Sequence, residues 1–519
     1  MKFPYALLAG LTAGGLLLGS CQHSSTSETA REATGPAPAF NITIAPTPPQ
    51  DLDPGSDSVK LAEFAWAEFF AVNWQSSYSK DSLRDHPDAA WSYQAPDATL
   101  AVWETFGHRA ELRPYYGKIL SFDRAPHYSY RTSPMPGSPS DTLTLFDNLD
   151  ENSEIGSCAM FGQVQDSVPN GKSMVLYQAK VNRTEYDFIQ KNFGSRKQLM
   201  QATANTLTNI RKHNAYYNPD TLNGRYKGGT CDCPPGVLCL PCGGDPAKGG
   251  QGVGSIEMKT AWRKLTPADD PARFLTRRVV YYTQQISPDG KDTLKSVYHN
   301  AVFALIGMHI IHKTVNYPDF VFATWEHVDV EQEHMGFQLL DTLGYLMGGL
   351  HSPYQRLHPI TTVANQATAA AHAKLRMLNP KSVLLNYRLV GVQGTPTSNP
   401  KTTNYFLANY VVESDSTLAN FHGSSIKYPF DGGINTLYLG KRLSAGGCQG
   451  CHGVAQLKLG TDFSFLLDNV GKPVRFPDPD MSQYPPRPAL AKRGGRTIQF
   501  TSSSKALTGK LGRYIRATR

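Results

Sequence analysis

Apolar positions recur at three- and four-residue spacing over Leu61, Phe64, Ala65, Phe69 and Val72. That is the period of a helix with one face turned to a core, and it predicts a helix from about Ser58. Glu68 falls on the same face, so it must sit at the edge of the stripe or meet a buried partner. A second aromatic segment follows at Val102-Trp103-Glu104-Thr105-Phe106. A strand is predicted over 174–181, then helices from Thr184 and across 199–211. Beyond 255 the period becomes two: Ile256, Met258, Thr260 and Trp262 alternate, and 279–283 and 320–325 are β-branched and aromatic. The run 301–311 is apolar almost throughout, as in a strand buried on both faces, with a buried helix as the alternative. These segments predict a mostly antiparallel sheet over 255–329. An Ala-rich helix at 362–378 and strands at 383–392 and 405–412 follow.

The two ends depart from this pattern. Lys2 precedes a short apolar region, 6–18, and then Leu18-Gly19-Ser20-Cys21. An apolar run of this length is short of the roughly 18 residues that would suggest a spanning helix. The Leu-x-x-Cys ending resembles a bacterial lipoprotein box, which implies cleavage before Cys21, lipidation of that residue and a protein tethered to a membrane of the cell envelope, facing the periplasm or the cell surface. An ordinary secreted protein is the alternative. Residues 21–57, rich in Ser, Thr, Pro and Ala, read as a flexible tether. The net charge of +8 on 519 residues gives no reason to expect a nucleic-acid partner. From Arg487 to Arg519, however, there are nine Lys and Arg and no acidic residue.

Candidate chemistry concentrates at Cys448-Gln449-Gly450-Cys451-His452. This C-x-x-C-H pattern is the attachment signature of covalent haem: two thiols form thioethers with the vinyl groups, and the histidine binds the iron. A redox dithiol or half a zinc site is the plainer reading. Export suits haem attachment, which in the c-type family takes place outside the cytoplasm. With Cys21 assigned to lipid and Cys448 and Cys451 to haem, five of the eight cysteines remain: Cys158, Cys231, Cys233, Cys239 and Cys242. The last four, in a Gly- and Pro-rich insertion at 223–254, are candidate disulfides of open connectivity, with four-thiolate zinc or iron-sulfur coordination as the alternative. His309 and His312 share a face on a helix and could join Glu326 or His327 at a metal; on a strand their spacing separates them. The other iron ligand is open between Met481, the one methionine beyond the motif, an upstream residue such as His309, and no protein ligand. Trp74 and Trp103 are expected in the core rather than at a haem wall.

The motif with a later methionine resembles the c-type cytochrome superfamily. Phe-Ala-Val-Asn-Trp at 70–74, Val-Trp-Glu-Thr-Phe at 102–106, Thr-Trp-Glu-His-Val-Asp at 324–329 and Asp-Phe-Ser-Phe-Leu-Leu at 462–467 also resemble a group of large, little-characterised bacterial monohaem lipoproteins without an assigned reaction. A small cytochrome domain would place a helix before the motif and another at its end, and this chain offers neither pattern. The expected class is therefore α+β, a mostly antiparallel sheet body with flanking helices and a C-terminal haem-bearing segment. The divisions are 1–20 signal peptide, 21–57 tether, 58–430 body and 431–519 haem segment with the basic tail. The resemblance implies one covalent haem c held by Cys448, Cys451 and His452, and single-electron transfer with a redox partner that the basic tail would favour being acidic. A haem enzyme with an open distal site, acting on peroxide or a small molecule, and a haem-based sensor are the alternatives.

Overall fold

The fold is described by a computed structural model, for residues 39–112, 118–124, 128–129, 146–149, 175–212, 230–265, 269–285, 295–331, 359–409, 411–412, 436–438, 441–467 and 480–481. In chain order the helices are α1 (Ser58–Val72), α2 (Tyr78–Asp81), α3 (Arg183–Phe193), α4 (Arg196–Lys212), α5 (Thr362–Leu378) and α6 (Gly447–Val454). The strands are β1 (Gly107–His108), β2 (Tyr128–Ser129), β3 (Leu176–Val181), β4 (Ile256–Lys264), β5 (Thr276–Gln285), β6 (Lys295–His312), β7 (Val321–His327), β8 (Tyr387–Gln393), β9 (Thr436–Tyr438), β10 (Lys441–Leu443) and β11 (Asp480–Met481). Seven of them form one antiparallel sheet in the order β1-β3-β4-β6-β7-β8, with β5 also paired to β6. The α+β class with a mostly antiparallel sheet is therefore present, and the sheet extends past the expected 255–329 to take in β1, β3 and β8.

Both faces of the sheet are covered, which explains why 301–311 lacks polar alternation. On β6, Met308 and Ile310 join the aromatic core made with α1 and α5, which includes Trp66, Phe69, Trp103 and Trp325. Ile311 faces the other way, into a cluster with Tyr186 and Ile189 of α3, Leu199 of α4 and Cys448 of α6. α1 begins where Asp57 accepts a hydrogen bond from the Lys60 amide, and eleven of its fifteen residues are buried. Glu68 has the buried partner its position demands: an oxygen lies 2.8 Å from His312 Nδ1, with both side chains fully enclosed. The helix α5 has the expected bounds, Thr362–Leu378.

Three expectations are corrected or sharpened. The tether does not run to 57 as a free segment. From Phe40 the chain belongs to the main compact unit, because Ile42 is buried, Phe40 and Ile44 pack beside it, and Lys374 Nζ donates to the Ile42 carbonyl. The alternation Phe40, Ile42, Ile44 was the available signal. The expected strand at 405–412 is instead a 3-10 turn, Thr403–Phe406, whose backbone is wrapped against Gly446 and Gly447. The insertion carries two nested disulfides, Cys231–Cys242 and Cys233–Cys239, so these thiols are not available as a four-thiolate metal site.

Candidate haem attachment site

α6 is short and would be marginal alone; tertiary contacts hold it. Gly447, at its first position, has a φ of +67°, and a Cβ there would run into the Asn404 carbonyl and the Gln393 side chain. Three buried glutamines then fix the segment. Gln393 of β8 accepts from the Gln449 amide at 2.9 Å and donates to the Gly446 carbonyl at 3.1 Å. Gln449, between the two cysteines, donates through Nε2 to the Phe320 carbonyl at 2.9 Å. Gln456 pairs with both the amide and the carbonyl of Leu437 on β9. Just ahead of the motif in the chain, β9 and β10 pair antiparallel.

Cys448 and Cys451, three residues apart, lie near one another on one side of α6. Among the described residues neither takes part in a disulfide, and both are buried. They enter different apolar clusters, Cys448 that of Ile311, Phe322 and Phe463, and Cys451 that of Tyr177, Ala261 and Val411. The adjacent His452 is half-buried, its ring 4.8 Å from Phe322 and 4.9 Å from Phe465. Its Nδ1 is 2.7 Å from the Phe463 carbonyl. A carbonyl only accepts, so Nδ1 carries the proton and Nε2 keeps the lone pair that a metal needs. Burial, opposed by this hydrogen bond and reinforced by the Lys259 cation, lowers the His452 pKa to about 4.

The Phe463 carbonyl is itself held by an unusual turn. Asp462 and Phe463 both have positive φ, 52° and 70°. Asp462 is locked from the side by a fully buried ion pair with Lys313 and by the Leu240 amide at 2.7 Å. Behind the turn stand Glu185 of α3 and Glu257 of β4, with Ser464 reaching Glu257. Burial is the first cause that raises Glu257 to about 7 and Glu185 well above the usual carboxyl range, with the Asp462 charge adding to both. Asp319, whose carbonyl meets Gln449, is raised well above that range for the same reason.

The remaining sequence candidates fall in separate places. β6 is a strand, so His309 and His312 point to opposite faces: His312 toward Glu68, His309 toward the side that carries α6. His327 stacks on Phe274 at 4.0 Å, and Glu326 pairs with Arg388 at 2.7 Å, so the metal site that His309 and His312 would form with Glu326 or His327 on a helix is not assembled. Burial and the charges of Lys259 and His452 lower the pKa of His309 to about 3. The backbone of Met481 pairs with Tyr128 on β2, and β11 also contacts the turn Arg109–Leu112 next to β1. α6 packs instead on β8, at the opposite end of the sheet order. The Met481 side chain, Cys21, Cys158, His334 and the basic tail lie outside the described residues. Trp74 and Trp103 are core residues, and Trp103 Nε1 donates to Asn73.

Among the described residues no group of three or more His, Cys, Asp and Glu is arranged to hold a metal ion by itself. No described helix is long and apolar enough to cross a membrane. The donor set nevertheless fits a covalently attached haem, which asks for two thiols and one oriented imidazole from this segment. The supporting residues Gln393, Gln449, Gln456, Lys313 and Asp462 were missed from sequence. Only Gln449, inside the motif, and Asp462, at the head of the 462–467 segment, carried any signal. Comparison of the chain with protein-family models, with curated proteins and with solved structures finds no match.

Proposed function

We propose that this protein is an extracytoplasmic monohaem c-type protein that passes single electrons, anchored to a bacterial membrane through Cys21. The observation that carries the reading is the placement of two buried cysteines on one short helix beside a histidine whose Nδ1 is fixed on the Phe463 carbonyl. Haem bound there would supply a one-electron iron couple. Cys448 and Cys451 would hold it, and His452 would present Nε2 to the iron. Gln449, through its bond to Phe320, would keep the motif in register with the sheet. The basic tail would steer an acidic redox partner, an attraction that weakens with salt.

The test is maturation of the full chain in a host competent for c-type haem attachment. The mass should rise by one haem, and the Cys448→Ala/Cys451→Ala variant should lose it. A protein that folds with both disulfides yet stays unmodified would remove this function. An open-site haem enzyme is the other outcome, and it would be recognised by rapid carbon monoxide binding to the ferrous protein.

A further inference from the structure

Within that reading, the side of the sheet facing α6 holds a second candidate for the iron. Cys448 belongs to the apolar cluster that includes Ile311 and Phe322, and Cys451 to the one that includes Tyr177, Ala261 and Val411. On β6, Ile311 belongs to the first group, and Gly307, pressed against Val411 and opposite Ala261 in the ladder, belongs to the second. His309 is the residue of β6 between them, and strand alternation puts it on the same face. Its cross-strand partners are Lys259 on β4 and Thr324 on β7. Phe322, against which the His452 ring rests, is the partner of Ile311 in the same ladder. A haem joined to both thiols would lie between the two clusters, on the side of the sheet that carries His309 and Lys259.

We propose that His309 is the second axial ligand, so that the iron is held between two imidazoles and closed to added ligands. This rests on haem attachment at α6 and deepens it. The backbone of Met481 pairs with β2 near the turn beside β1, whereas α6 packs at β8. Lys259 is the other candidate base on this face. Its ammonium lies 5.4 Å from the Tyr177 ring, a cation–π arrangement that favours the protonated, non-coordinating form. Two imidazoles also imply a lower reduction potential than a histidine and methionine pair would give.

The experiment uses full-length protein with haem attachment first verified by mass; lack of attachment counts against the function proposed above and not against the choice of ligand. Ferric paramagnetic resonance and near-infrared magnetic circular dichroism should show a low-spin iron with two imidazole ligands. His309→Ala should lose that signal, become high-spin and bind carbon monoxide when reduced, and added imidazole should restore the low-spin form. His309→Met should stay low-spin with a higher potential. A methionine- or amine-ligated spectrum in the wild type would overturn the assignment even if no His309 variant accumulates. So would a His309→Ala protein that keeps the wild-type spectrum, or loss of the low-spin signal in Met481→Ala or Lys259→Ala instead.

Discussion

A carboxylate on the apolar stripe of a helix has to be answered from across the core, and Glu68 is answered by His312. The demand was legible in the spacing of α1; the identity of the partner was not, because it lies on a strand more than two hundred residues away. Glu257 gave no such warning. It sits in the alternating stretch of β4 as a residue that a half-exposed strand would turn to water, but α3 and the 462–464 turn cover that face. Glu185, Asp462, Lys313 and Ser464 surround it, and burial raises its pKa to about 7. Between the ordinary carboxyl value and about 7 the folded protein therefore holds more protons than the unfolded chain. Its contribution to stability is fully present at the acid end of that window and is lost as the pH rises through 7. Glu257→Gln should remove this slope. At pH 8 the variant should be more stable than the wild type, by up to about 3 kcal/mol, and the difference should close near pH 5. Urea midpoints at the two pH values measure it, and an advantage that does not grow with pH would contradict the argument.

At the scale of elements, hydrophobic period identified α1, α3, α4, α5 and the strands β3, β4, β6 and β7, because each buries a continuous face against the sheet. It failed at 403–412. There the chain is apolar enough for a strand, but the backbone bends to receive Gly446 and Gly447. The bend belongs to the motif segment, which is remote in sequence, and local pattern does not encode it. Gly447 is the residue on which this contact turns. Gly447→Ala would force a left-handed backbone on a residue with a Cβ and push that atom into the Asn404 carbonyl. The expected cost is about 1–2 kcal/mol for the backbone alone, with more from the collision. The start of α6 should shift, so the fraction of chains carrying covalent haem, read by mass, should fall along with the thermal midpoint.

Over the whole molecule, the α+β class was legible in the sequence, whereas the way the Cys-rich insertion, the sheet and the motif segment meet was not, because spacing does not state disulfide connectivity. The insertion supplies Leu240, whose amide binds Asp462, and Cys239, which approaches the Lys313 ammonium at 3.9 Å. Asp462 in turn opens the turn whose next carbonyl orients His452. Closing loops of these lengths, 11 and 6 residues apart in sequence, stabilises a chain by about 2–3 kcal/mol each through the unfolded state. Cys233→Ser/Cys239→Ser should therefore lower the denaturant midpoint, as loss of any such staple would. If the insertion also braces the proximal turn, the folded variant should differ from the wild type in a second way. Loosening Leu240 frees Asp462, weakens the grip on the Phe463 carbonyl and changes how strongly Nδ1–H is held, which tunes the basicity of Nε2. The reduction potential of the haem-loaded variant should then shift relative to wild type at equal fraction folded. Lys313→Met, which removes the other hold on Asp462, should shift it in the same direction. Equal potentials in all three proteins, measured by spectroelectrochemical titration, would limit the disulfides to global stability.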